Sequence, residues 1–291
     1  MSILRWNCRG LGNTVTLQVL ADIVHQQSAV VIFFMEMKLR RSRIEDLFRP
    51  LGFHRSFVRD SDGCGGGLAL GWKEYVCIDI ISSCNHYIDA KICLQTVGQE
   101  WRMTDFYGYP ESSRRREAWA LLRSLEGINP LPWMVVGDFN DIMYTGEKKG
   151  RVPPALWRIV GFREAVMDCG LRNFPFEGYQ WTCERGRGTQ AWVEEKPDGV
   201  LVKDDWLEMF EAERARSVEA PASHHLALCV KAVQAEACFG RKFFKLENNW
   251  IKEEECRTIV DRSWRTREGL ELCSRIAFCG RKLHRWGCNR V

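Results

Sequence analysis

The chain has 291 residues, 45% of them hydrophobic and 27% charged, with 24 Gly and 9 Pro, a balance that excludes disordered and collagen-like polymers. Its net charge of +4, from 42 basic and 38 acidic residues, does not exclude a polyanionic partner, because phosphate contacts need local cationic clusters rather than a high total. The longest purely apolar run, residues 29–35, is too short for a membrane span, and Met1-Ser2-Ile3-Leu4-Arg5 lacks the apolar core of a secretory signal, so an intracellular protein without a membrane partner is expected.

In chain order, Ser2 to Trp6 reads as a strand, residues 17–25 as a helix with Leu17, Leu20, Ala21 and Val24 on one face, and residues 29–35 as a buried strand. Gly63 to Gly67 marks a turn. Residues 68–72, 76–81, 87–95 and 101–107 follow as four strands whose short connections predict antiparallel pairing. A helix is expected after Glu111, capped by Ser112 or Ser113, with Ala118, Leu121, Leu122 and Leu125 inward. A buried strand at residues 133–137 precedes a helix opened by Pro153-Pro154 and stopped at Gly170. Residues 179–183, 192–194, 199–202 and 225–230 complete the strands, and the pattern predicts an α/β sandwich of two packed mixed sheets.

Beyond Gln234 the character changes. Residues 240–291 hold 13 Lys or Arg against 7 Asp or Glu, with Phe243, Phe244, Trp250, Trp264 and Trp286 at helical spacing, so residues 235–291 read as a basic, mostly helical segment distinct from 1–234. Thirteen Cys, an odd number with no C-x-x-C pair, read as reduced and mostly buried thiols.

Five polar sites follow apolar strands: Trp6-Asn7-Cys8-Arg9-Gly10, Glu36-Met37-Lys38, Tyr107-Gly108-Tyr109-Pro110, Asp138-Phe139-Asn140 and Ser223-His224-His225. A carboxylate placed there, as at Glu36 and Asp138, is costly to desolvate unless it binds a metal or accepts hydrogen bonds. Hard oxygen ligands suit Mg²⁺. Taken singly, each site also has a structural explanation: a turn former at Asn7, a helix cap at Glu36, an Asx-turn at Asp138, a core phenol at Tyr107 and a strand histidine at His225.

Together, and in this order, they resemble the endonuclease/exonuclease/phosphatase superfamily, in particular the apurinic-type endonuclease domain of plant LINE-type, non-LTR retrotransposons. The resemblance runs through residues 1–12, Glu36-Met37-Lys38, residues 65–70, 106–111, 133–140 and 161–166, Gly186-Arg187-Gly188-Thr189 and Val193-Glu194-Glu195. It covers residues 1–234, and the segment around Phe243 to Trp264 resembles the start of the link to a reverse transcriptase, which implies an element truncated before that enzyme.

The resemblance implies a four-layer, DNase I-like α/β sandwich and metal-assisted phosphodiester hydrolysis of double-stranded DNA, giving a nick with a 3′-hydroxyl. It implies that Glu36 and Asn7 hold Mg²⁺, or Mn²⁺, and that Asp138 and Asn140 place the attacking water. His225, oriented by Asp198, and Tyr107 would contact the scissile phosphate. Lys38, Arg114, Arg115 and Arg116, just after site-bearing strands, are expected to touch the DNA backbone. No stable protein partner is implied, and a functional element implies a nuclear location. Three departures from the family's pattern stand out. His224 occupies the place of an acidic residue, Gly199 and Val200 replace the neighbours that usually follow Asp198, and Met37 replaces a hydroxyl-bearing residue. The alternative they raise is a catalytically inactive relic or DNA-binding domain that keeps the fold.

Overall fold

A computed structural model describes residues 1–12, 14–60, 67–94, 99–211, 214–220, 223–234, 250–266, 275–276, 278–280, 282–283 and 286. The expected turn at residues 63–66, and Gln95, Phe243 and Phe244, lie outside the described residues. The chain divides into two compact units, Met1–Glu236 and Ala237–Val291.

The first unit begins with β1 (Ser2–Asn7), α1 (Thr14–Gln26), β2 (Val31–Met35), α2 (Arg41–Phe48), β3 (Arg55–Arg59) and β4 (Leu68–Trp72). Next come β5 (Cys77–Cys84), β6 (Tyr87–Leu94), β7 (Gln99–Tyr107), α3 (Arg115–Glu126), β8 (Trp133–Asp138), β9 (Lys148–Gly150) and α4 (Leu156–Asp168). It continues through β10 (Arg172–Asn173), β11 (Phe176–Glu177), β12 (Cys183–Arg185), β13 (Val193–Glu195), β14 (Asp198–Val202) and α5 (Asp204–Met209). The last strands are β15 (Phe210–Glu211), β16 (Ala215–Val218), β17 (Ala227–Lys231) and β18 (Val233–Gln234).

Two mixed sheets dominate, one of seven strands in the order β11-β16-β17-β1-β2-β4-β3 and one of six in the order β10-β14-β8-β7-β6-β5. Their facing sides meet in one apolar layer, with Ile3, Phe33 and Leu70 from the first sheet and Met103, Met134 and Val200 from the second. α1 and α2 cover the outer face of the first sheet through Leu20, Ile23, Ile44 and Phe48 against Leu4, Trp6 and Phe34. α3 and α4 cover the second through Trp119, Leu122, Phe162 and Val166 against Trp133, Val135 and Leu201. The result is the expected four-layer sandwich; each large side chain buried in it contributes about 1.5–3 kcal/mol.

One predicted pairing differs. The strand at residues 68–72 does not pair with the three after it: β4 lies between β2 and β3, antiparallel to both, and only β5, β6 and β7 form an antiparallel series. Both edges of β4 are already hydrogen-bonded, so the chain must cross to the other sheet before β5 begins. The serine cap also differs, since Ser112–Arg114 is a 3-10 turn and α3 starts after Arg114 without a side-chain cap. Residues 179–182 are not a strand, and the last predicted strand starts at Ala227, with His225 making only an isolated bridge to Cys183. The described cysteines are free thiols, Cys8, Cys169, Cys183 and Cys229 being buried in this unit.

The second unit contains α6 (Glu254–Thr266), and Cys256, Cys279 and Leu283 form a small core with Trp250 and Trp286 packed against it. Among the described residues, no helix is long and apolar enough to cross a membrane.

Candidate active site

The period-two alternation of the strands sets the position of the site. Ile3 faces the inter-sheet layer, so Arg5 and Asn7 do too; Met134 and Val136 carry the same face to Asp138, Val202 and Val200 to Asp198, and Trp101 and Met103 to Asp105 and Tyr107. At one end of the sandwich the inward face thus changes from apolar to polar on four strands. Register aligns the ends, because Asp138 lies opposite both Asp198 and Tyr107, and Asn7 opposite Met35, which precedes Glu36.

Glycine permits the close approach of β7 and β8. A Cβ on Gly137 would stand 1.9 Å from the Phe106 carbonyl oxygen, and one on Gly108 would stand 2.3 Å from that of Phe139. Backbone strain collects at the same end. Arg9, Glu36, Lys38 and Asn140 all have positive φ, 49° to 55°, and Ser28 is the one other such non-glycine among the described residues.

Asn7 Nδ2 donates to Glu36 Oε1 at 2.9 Å and to Asp138 Oδ2 at 3.2 Å, and the Tyr107 hydroxyl donates to Glu36 Oε1 at 3.0 Å. Burial opposes ionisation of Glu36, but the Asn7 and Tyr107 bonds, with Arg9 nearby, hold its carboxyl below the usual value. The backbone N–H of Asn140 donates to Asp138 Oδ1 at 2.9 Å, and the Asn140 side chain to the Gly108 carbonyl at 2.9 Å, so Asn140 clamps the two strand ends. Burial, reinforced by the neighbouring Asp198 charge, raises the Asp138 carboxyl above its ordinary range.

Asp198 is fully enclosed. Its Oδ1 accepts from Arg5, while its Oδ2 accepts from the Thr182 hydroxyl at 2.7 Å and lies 3.0 Å from His225 Nδ1. Burial opposes its ionisation, yet the Arg5 and His225 charges bring it down to about 2; the same pairing overcomes burial to hold the His225 imidazole well above its ordinary value. Ser223 Oγ donates to the Asn7 carbonyl at 2.8 Å and accepts from the His225 N–H at 3.1 Å, tying the histidine segment to β1.

The structure therefore brings Asn7, Glu36, Tyr107, Asp138, Asn140, Asp198 and His225 into one connected group. His224 is exposed and lines a cavity of about 660 Å³ with Trp181, Arg185 and Glu219 and with Thr182 and Ser223, the residues bonded to Asp198 and His225. Of the cations expected on DNA, Lys38 is exposed, and Arg114 lies exposed 3.9 Å over the Tyr109 ring while bonded to Glu117. Arg116 is also exposed. Arg115 differs from expectation: it is buried, donates to the Tyr109 and Pro110 carbonyls and pairs with Asp141, so it anchors α3 and offers nothing to a phosphate.

Arg5 and Thr182 are site residues that the sequence reading missed. The signal at Arg5 was a lone cation in the apolar run Ile3-Leu4-Arg5-Trp6, which is tolerable only beside a counter-charge. Thr182, a common residue type in a loop, gave none.

The donor set fits a hard cation. Glu36 is held ionised, and the adjacent Asn7 Oδ1 is buried with no hydrogen-bond donor of its own. Ligand atoms of Asp138, Asp198 and His225 also lie within 4.8 Å of one another, but Asp198 is already saturated by Arg5, Thr182 and His225, which makes the Glu36 side the better place.

Two packed mixed sheets between helices, with a carboxylate- and amide-lined site at one end of their shared core, define the DNase I-like class of phosphoesterase folds. The chain belongs to the endonuclease/exonuclease/phosphatase family, whose sequence pattern matches residues 6–193. Among solved structures it is similar to the endonuclease domain of TRAS1, a telomere-specific non-LTR retrotransposon, at 16% identity and a TM-score of 0.59, over 78% of this chain and 96% of that one. It is also similar to the 3′ phosphatase NExo from Neisseria bound to a product DNA hairpin (15%, TM-score 0.59, 80% and 99%). A third similar structure is the AP endonuclease LMAP from Leishmania major (11%, TM-score 0.60, 78% and 86%). At these identities the likeness concerns the fold. No curated protein sequence is significantly similar to the chain.

Proposed function

We propose that this chain is a Mg²⁺-dependent DNA endonuclease of LINE-type retrotransposon origin, which hydrolyses one phosphodiester bond of duplex DNA to leave a 3′-hydroxyl and works in the nucleus. The observation that carries the reading is the single hydrogen-bonded group formed by Asn7, Glu36, Tyr107, Asp138 and Asn140. The Asp198–His225 pair stands beside it, His225 Nδ1 lying 3.8 Å from Asp138 Oδ2.

In this reading Glu36 and Asn7 would hold the cation, which would supply positive charge for the phosphoryl oxygens and the leaving group. Asp138, with Asn140 fixing its carboxylate, orients the attacking water. His225, kept charged by Asp198, donates a hydrogen bond to a non-bridging phosphate oxygen, and the Tyr107 hydroxyl supplies another. Arg9 and Lys38 on the strand-end loops, with Arg114 and Arg116 near the Tyr109 end, carry the positive charge that would meet the DNA backbone.

Nicking of supercoiled plasmid tests the reading. The full chain with Mg²⁺ should convert supercoiled to open-circle DNA, and Glu36→Gln should lower the rate by about 10²-fold or more. Equal nicking by both proteins refutes the assignment. His224, in the place of an acidic residue and in the cavity beside Ser223, favours a second reading, an inactive relic that keeps DNA binding. That reading predicts no nicking by the native chain and recovery in His224→Asp.

A further inference from the structure

Arg5 is fully buried within an otherwise apolar stretch of β1, and its guanidinium reaches across the inter-sheet layer to Asp198 at the head of β14. Its second terminal nitrogen faces Met35 Sδ, and its Nε has no hydrogen-bond partner. Asp105, in the same layer, is buried with neither carboxylate oxygen hydrogen-bonded, and the Arg5 charge reaches it only through space. Arg5 thus concentrates its strong bonding on one oxygen of one carboxylate.

A buried ion pair is a poor stabilising device, since hydrophobic residues of equal volume do as well or better once desolvation is counted. Its worth is in specifying geometry. With Oδ1 of Asp198 occupied by Arg5, the carboxylate cannot rotate to offer that oxygen, and Oδ2 alone remains for the Thr182 hydroxyl and His225 Nδ1. The Trp6 indole N–H, 3.1 Å from the His225 carbonyl, fixes the backbone of the same residue from the strand that carries Arg5.

We propose that Arg5 is a positioning residue: by locking the Asp198 carboxylate it commits His225 Nδ1–H to Asp198, so that Nε2 is the ring nitrogen available to the substrate phosphate. Arg5 touches no substrate, so it acts on turnover and not on binding. The proposal rests on the phosphodiesterase reading above.

The test compares the full-length native chain with Arg5→Gln and Arg5→Lys by two readouts. In the metal-free, DNA-free protein, the imidazole N–H resonances of His225, assigned through His225→Gln, report the Nδ1–H bond without any activity. The low-field Nδ1–H signal should persist in Arg5→Lys, which keeps the charge, and vanish or move to the solvent-exchanging position in Arg5→Gln. In plasmid nicking, kcat should fall by about 10- to 100-fold in Arg5→Gln with KM within about twofold, and stay within about threefold of native in Arg5→Lys. The proposal is overturned if Arg5→Gln keeps both the signal and kcat, or if Arg5→Lys loses both. Should Arg5→Gln not fold, Arg5→Lys alone decides by the same criterion. A native chain that shows the His225 signal but never nicks overturns the phosphodiesterase reading while leaving the positioning role to be judged by the resonance.

Discussion

Replacing Asp198 by Asn isolates what its negative charge contributes. The carboxyl titrates at about 2 in the folded chain against an ordinary 3.8, because Arg5 and His225 favour its ionised form beyond the cost of burial. A folded value below the unfolded one means stability that is complete above pH 4 and lost as pH falls through 2. A difference of that size corresponds to about 2 kcal/mol, part of which is already gone at pH 3. Asn also leaves Arg5 buried opposite a neutral group, and one-sided removal of a buried partner costs about 3–5 kcal/mol. Urea denaturation should therefore show Asp198→Asn less stable than native by about 3–5 kcal/mol at pH 6. Asp105, raised by burial, favours the folded state on acidification in both proteins alike, but Asp138 is raised in part by the Asp198 charge, so its gain on acidification is smaller in Asp198→Asn and offsets part of the shrinkage that loss of the Asp198 contribution gives at pH 3. A penalty that is absent at pH 6 refutes the account of the Arg5–Asp198–His225 group.

Gly161 on α4 lies against α3, where an added Cβ would stand 2.2 Å from the Trp119 ring, itself held by its indole bond to Asp141. Gly161→Ala should lower stability by about 1–3 kcal/mol in thermal melts, whereas Gly12→Ala, with nothing within 4 Å, should be near neutral. Arg114→Ala with Arg116→Ala should weaken DNA binding and reduce the slope of log K against log salt by about 2, at unchanged thermal stability; an unchanged slope removes both residues from the interface. Burial pushes the Cys8 thiol up to about 12, so in native protein at pH 8 a thiol reagent should modify half-buried Cys77, Cys84 and Cys93 well before Cys8.

The parts of the fold legible in the sequence were those written in periodicity. β2 and most of β8 are continuous apolar runs, and β1 is one interrupted by Arg5, because both their faces are covered; Gly170, at φ +64°, ends α4 as its position suggested. The assignment of β4 to a sheet was not legible, because short connections do not reveal that both its edges are taken by β2 and β3. α2 was hidden in a polar, basic stretch whose apolar face is reduced to Ile44 and Phe48. At the site, Glu36 and Asp138 were visible as acids terminating buried strands. Thr182 was not, since its role arises only when its loop meets Asp198. The Arg114 to Arg116 cluster shows the limit of charge counting, for helical geometry turns the middle arginine inward to Asp141 while its neighbours stay exposed.

The site's main contacts share one geometric property: they cross between the sheets. Asn7, Glu36 and His225 belong to the strands or strand ends of the seven-stranded sheet, and Asp138, Tyr107 and Asp198 to the six-stranded one. The bonds Asn7–Asp138, Tyr107–Glu36, Arg5–Asp198 and His225–Asp198 therefore all span the gap that the apolar layer sets. Side chains such as Phe33, Met103 and Met134 are in consequence part of the site's geometry, because they fix a separation at which four polar bonds close at once. Positive φ at Arg9, Glu36, Lys38 and Asn140 marks where the backbone must bend to meet that fixed gap. The strain is tolerated because each bend leads to a side chain or N–H bonded within the cluster or to a cation on its rim. A site built this way is rigid, which suits holding a cation and a phosphate that arrive already charged.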